Sequence, residues 1–159
     1  MLIACRGEMK PDPGRNEYGN PNAGYPAEEL YVGRYNRALK LAAGALTDPS
    51  LILIASARHG LVPLRRPLHP YNVTIGDDRA VSARTLAHDA ADHGLDDADV
   101  LFLGDQEYAA LLRPIVPHLF TPLLSDDCGQ YELVGGDDAL REAWWSEAAL
   151  LRSDHGDTF

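Results

Sequence analysis

The sequence predicts an α/β domain, a three-layer sandwich built on a mainly parallel sheet of about four strands. Short apolar runs at residues 1–5, 51–55, 99–103 and 116–124 have the length of strands buried on both faces. Stretches with helical spacing separate these runs, so strand and helix alternate along the chain. Each run also ends in small or polar residues, which is where an open parallel sheet forms its ligand crevice.

The first run ends in Cys5 and Arg6. Residues 6–24 are rich in Gly, Pro and Asn and read as a long loop, either a binding loop or a plain surface excursion. Pro26 fits the first turn of a helix, with Glu28 and Glu29 favourable near its positive end. Tyr31, Tyr35, Ala38, Ala42 and Ala45 follow at helical spacing and should face the core, and Thr47, Asp48 and Pro49 end the helix. The second strand, 51–55, runs into a loop studded by Pro63, Pro67 and Pro70. Residues 77–94 read as a helix with Val81, Thr85, Leu86 and Ala90 inward; His88 and His93, beside Asp89 and Asp92, read as solvated. The third strand closes on Gly104 and Asp105, and a helix carrying Tyr108, Leu111, Leu112 and Ile115 begins there. Asp105 reads equally as a ligand-facing residue and as a helix N-cap. The fourth run, interrupted by Pro117 and Pro122, leads to the polar stretch 125–130. An edge strand near 131–134 and a closing helix over 139–151, carrying Trp144 and Trp145, complete a single domain over 1–152. A polar tail, 153–159, frays beyond it.

With 159 residues, 45% of them hydrophobic, the chain is long enough for one substantial core. A net charge of −10 argues against general binding to duplex DNA, which needs a basic patch, yet leaves room for a nucleotide or one extruded base on a local Arg pair. The two cysteines, Cys5 and Cys128, form no disulfide framework, and with His59 and His69 they show no recognisable zinc spacing. No metal and no cofactor is expected. The apolar run at the N-terminus is too short for a signal peptide, and no run approaches the roughly 18–20 residues of a membrane span. A soluble, cytoplasmic protein without a membrane partner is expected. Gly-x-Gly-x-x-Gly, P-loop and Gly-x-Ser-x-Gly motifs are all lacking, which removes support for dinucleotide, P-loop and serine-hydrolase roles.

The stretch 51–72 draws the most attention, because a buried strand delivers Ser56, Arg58, His59 and Gly60 into a loop that ends in Tyr71 and Asn72. Ser56, Ala57, Arg58, His59, Gly60 and Leu61, followed by Pro67, Leu68, His69, Pro70, Tyr71 and Asn72, resemble a signature of YaaA-like proteins, many of them small bacterial and phage proteins known only as domains of unknown function. Those proteins also share a first strand ending in Cys with a nearby Lys, similar to Cys5 and Lys10. They share a helix entry similar to Leu30, Tyr31, Val32 and Gly33 as well. The resemblance spans roughly residues 1–75; Arg58 stands where Lys is frequent, and Asn72 where a charged residue is frequent. It implies an α/β fold and, for some relatives, a connection to oxidative stress and DNA.

The topology brings Cys5 and Arg6, residues 56–60, Gly104 and Asp105, and residues 126–130 to one end of the sheet. The leading expectation is an enzyme acting on a nucleobase, nucleoside or nucleotide, in the manner of an N-glycosidase. Asp105 or Asp126 would stabilise an oxocarbenium-like sugar, and His59 would protonate the departing base. Arg6 and Arg58 would hold a phosphate or carboxylate. Tyr71 would stack on a base and Asn72 would read its edge. Cys5, Lys10, Tyr31, Ser56, Gly60, Gly104 and Gln130 complete the expected binding set. The alternative is a non-catalytic stress-response or phage accessory protein that binds DNA or a nucleotide.

Overall fold

In chain order the elements are β1 (Leu2–Ile3), β2 (Tyr25–Pro26), α1 (Ala27–Leu30), α2 (Arg34–Leu46), β3 (Leu53–Ser56), β4 (Gly60–Pro63), β5 (Pro67–Leu68), α3 (Ala83–Asp92), β6 (Val100–Leu103), α4 (Gln106–Leu112) and β7 (Leu119–Phe120). They come from a computed structural model that describes residues 1–121, apart from the side chains at positions 34 and 35. The expected strand at 131–134, the closing helix and the tail lie outside the described residues.

Among the described residues the main sheet has five strands in the order β4-β3-β1-β6-β7. β1 lies in the middle and pairs in parallel with β3 and β6, and β7 adds in parallel to β6. The fold is therefore α/β with a mainly parallel sheet, as the alternation of strand and helix predicts. Side chains alternate across it. Ile3, Ile54, Val62, Leu101 and Leu103 pack with Leu30 of α1 and Leu39, Ala42 and Leu46 of α2. Leu2, Ala4, Ala55, Leu61 and Phe102 pack with Leu86 and Ala90 of α3 and Tyr108, Ala109 and Leu112 of α4. Each fully buried Leu or Ile contributes roughly 1.5–3 kcal/mol, so the short strands are held chiefly by these two apolar clusters.

Four elements differ from the sequence reading. The second strand starts at Leu53, because Pro49–Leu51 forms a 3₁₀ turn capped by the Asp48 carboxylate, leaving Leu51 exposed. The fifth strand, β4, falls where a loop was expected; it folds back on β3 through a hairpin with residues 57–59 at its tip. Gly60 ends that turn at φ 77°, and a side chain there would collide with the Asp89 carboxylate, which accepts from the Leu61 amide. The expected long helix from Pro26 breaks at residues 31–33. Lys40 Nζ donates to the carbonyls of Glu28 and Tyr31 at 2.8 and 2.9 Å, closing the end of α1. The break resets the helical phase, so Leu39, Ala43 and Leu46 point inward while Ala45 is exposed. Residues 77–82 are turns, and α3 begins after the Ser82 N-cap, which puts Thr85 on the surface.

Candidate functional site

The chain leaves β1 toward β3 and leaves β6 toward β7, in opposite directions across the sheet. Such a switch point opens a crevice at the carboxyl ends of the two strands. A cleft of about 310 Å³ lies there. Ala4, Cys5, Arg6, Gly7 and Met9 line it from the segment after β1, and Ala57 from the end of β3. Asp105, Glu107 and Tyr108 line it from the start of α4, and Tyr71, Val73, Thr74 and Ile75 close the remaining wall. Gly104 is the residue that lets β6 end so close to β1. A Cβ there would stand 2.6 Å from the Ala4 Cβ and 2.7 Å from the Phe102 ring.

Arg6 reaches across the cleft mouth, its guanidinium 3.6 Å from Asp105 Oδ2. Asp105 is fixed from the other side, since Oδ1 accepts from the Tyr108 amide at 2.9 Å as the N-cap of α4. Asp105 is thus the N-cap of α4 and a cleft-lining residue at once. Arg6 in turn is held by its backbone. The Asn36 side chain, 1% exposed, accepts from the Arg6 amide at 2.9 Å and donates to the Arg6 carbonyl at 2.7 Å and the Val32 carbonyl at 2.8 Å. The adjacent loop is tied down as well: Met9 bridges to Tyr31, Tyr25 Oη donates to the Pro11 carbonyl, and His69 pairs with the Asn22 carbonyl. Cys5 lines the cleft floor, and burial pushes its thiol up to about 12, so near neutral pH it is a protonated wall residue, not a nucleophile.

A chain of hydroxyls runs behind the opposite wall. Ser56 Oγ accepts from the amides of His59 at 3.1 Å and Arg58 at 3.3 Å, and it meets Tyr71 Oη at 2.9 Å. Tyr71 Oη in turn lies 2.5 Å from Tyr31 Oη, so the three hydroxyls form one hydrogen-bonded chain. Burial pushes both tyrosine hydroxyls well up, so they stay protonated. Tyr108 Oη donates to the Ser56 carbonyl at 2.8 Å and ties α4 to the same strand end. Ser56 is thus a buried hub that fixes the Tyr71 wall.

Of the expected site residues, Cys5, Arg6, Tyr71 and Asp105 line the cleft; Gly104 and Ser56 shape it from behind. His59 does not line it. Its ring packs edge-on against Tyr71 with centroids 5.3 Å apart, and Nε2 is buried without a hydrogen-bond partner among the described residues. Burial, then Arg58 and Arg66, hold its pKa below the ordinary value, so it is a neutral packing residue at neutral pH. Arg58 is exposed at the hairpin tip and, unlike Arg6, is not among the residues lining the cleft. Gly60 serves the hairpin, and the Asn72 side chain is exposed while its carbonyl accepts from Arg79. Lys10 sits over the Tyr25 ring at 5.1 Å, and Tyr31 is fully buried in the core. Asp126 and Gln130 lie outside the described residues.

The reading of the sequence missed Asn36, Glu107 and Tyr108 as site residues. A lone polar residue on the inner face of α2, flanked by Leu39, was the available signal for Asn36. Among the described residues no cluster of three or more His, Cys, Asp or Glu side chains is placed to hold a metal ion, and no helix is long and apolar enough to cross a membrane.

Residues 19–130 match the model of a family of unknown function (DUF6884), which is more than two thirds of the chain. The matched region holds Ser56, Tyr71, Asp105 and Tyr108 and leaves out the cleft residues 4–7 and 9. No curated protein and no solved structure matches.

Proposed function

We propose, for a chain that belongs to the DUF6884 family of unknown function, that the switch-point cleft binds a nucleobase-bearing small molecule and acts on its N-glycosidic bond. One observation carries this reading: a fixed carboxylate, an arginine and an aromatic wall share one cleft at the carboxyl ends of β1 and β6. The Tyr71 ring offers a flat face for a base. Asp105, immobilised by Arg6 and the Tyr108 amide, stabilises the cationic sugar, and Glu107 supplies the second carboxyl group that handles the proton or water. His59, packed behind Tyr71, supports that wall.

The test incubates purified protein with a panel of nucleosides and mononucleotides and follows free base by chromatography, with Asp105→Asn as control. Base release lost in the control supports the reading; the absence of both turnover and binding across the panel refutes it. A second reading, a non-catalytic accessory protein that holds a nucleotide or DNA, is favoured by one observation: His59, the expected proton donor, is absent from the cleft lining. Binding without turnover distinguishes it.

We also propose kinship with YaaA-like proteins, resting on residues 56–61 and 67–72. A three-layer sandwich is the arrangement we favour, because apolar clusters with α1 and α2 on one face and α3 and α4 on the other support it. A reducing, cytoplasmic setting suits the free, buried Cys5.

A further inference from the structure

We infer that the ligand of this cleft is an uncharged nucleoside or base, and that phosphate on the ligand is rejected. The inference rests on the proposed function and narrows it. Among the described residues, the charged side chains lining the cleft are Arg6, Asp105 and Glu107, two acids to one base. A phosphate drawn to Arg6 would have to share the guanidinium with Asp105, whose Oδ2 is 3.6 Å from Nη1. The carboxylate has no route of retreat, since its other oxygen caps α4 through the Tyr108 amide. The phosphate would then sit beside the like charges of Asp105 and Glu107, a repulsion that added salt weakens because Glu107 is exposed.

Neighbouring arginines do not change this balance. Arg79 is paired with Asp77 at 3.1 Å and bonded to the Asn72 carbonyl, and Arg58 stands exposed on the hairpin tip. The remaining lining suits a neutral heterocycle and sugar: the Tyr71 ring, Val73, Ile75 and Met9 offer apolar area, and Thr74 a hydroxyl.

The experiment titrates the full chain at low salt with adenosine, guanosine, cytidine and uridine and with their 5′-monophosphates, by calorimetry. The best nucleoside is expected to bind at least tenfold more tightly than its monophosphate. Glu107→Gln, a change at an exposed position, should narrow that gap several-fold, as should added salt. A monophosphate that binds as tightly as its nucleoside, or a gap unmoved by Glu107→Gln, overturns the inference and leaves the proposed function standing. Failure of both ligand classes to bind refutes the proposed function itself, and the inference with it.

Discussion

Replacing Asn36 with Leu removes the clamp that aims Arg6 at the cleft while keeping the side chain close to the same size. Three hydrogen bonds go with it, to the Arg6 amide, the Arg6 carbonyl and the Val32 carbonyl. At about 1 kcal/mol net each they sum to about 3 kcal/mol. Groups left dry would raise that figure, and water entering beside the exposed Arg6 side chain would lower it, so a loss of about 2–4 kcal/mol is expected. Urea denaturation at neutral pH measures it directly, and the melting temperature should fall by roughly 6–12 °C. Asn36→Asp sharpens the argument. It keeps the acceptor for the Arg6 amide but turns a carboxylate oxygen toward two carbonyls. This variant should be at least as unstable as Asn36→Leu near neutral pH and should recover on acidification, when the protonated acid donates again. A loss below about 1 kcal/mol in Asn36→Leu, or no pH-dependent recovery in Asn36→Asp, refutes the clamp.

Gly104→Ala should cost about 1–3 kcal/mol by thermal melting, because the new methyl meets Ala4 and Phe102 inside van der Waals contact; a change within about 0.5 kcal/mol counts against the tight β1–β6 approach. His59 titrates below its ordinary 6.5 in the folded chain, so between the two pKa values the unfolded chain binds more protons. Its share of stability is complete above pH 6.5 and is lost as pH falls through the folded value. The Met1 amine, lowered by burial to about 6, titrates nearby, so the measurement is the difference between wild type and His59→Phe stability curves, which should shrink toward acid. Tyr71→Phe should lose about 1–2 kcal/mol through the hydroxyl chain yet keep nucleoside affinity, whereas Tyr71→Ala should lose both; equal affinity in the two variants removes the stacking role.

What could be read from the sequence depended on how local the determining contacts are. Residues 100–103 are buried at all four positions, and their uninterrupted apolar run is visible without any partner. The break between α1 and α2 is not visible. It is set by contacts from distant positions: Lys40 on the carbonyls of residues 28 and 31, the Val32 amide on the Glu8 carbonyl, and Met9 bridged to Tyr31. With the break unseen, helical spacing from Tyr31 places Tyr35, Ala38, Ala42 and Ala45 inward and does not single out Asn36. The hairpin was hidden for a related reason. Residues 60–63 look like loop because they begin with Gly and end with Pro, yet Pro63 sits at the end of an edge strand, where a missing amide costs little.

That hidden hairpin also explains why the site was half legible. Arg6 and Asp105 directly follow parallel strands, so topology alone carries them to the crevice. Arg58 and His59 follow a strand too, but the chain turns back antiparallel at once, and the tip of a hairpin takes its direction from the pairing of β3 with β4. The stretch from Ser56 to Tyr71, the most chemically suggestive in the sequence, therefore does mostly mechanical work. Ser56 closes the turn through the amides of residues 58 and 59, grips Tyr71 through its hydroxyl, and holds Tyr108 through its carbonyl. A single serine thereby ties two cleft-lining residues, Tyr71 and Tyr108, to the hairpin turn. The groups that line the cleft are the less conspicuous ones, Arg6, Asp105 and Glu107, together with Tyr71, which the serine keeps in place.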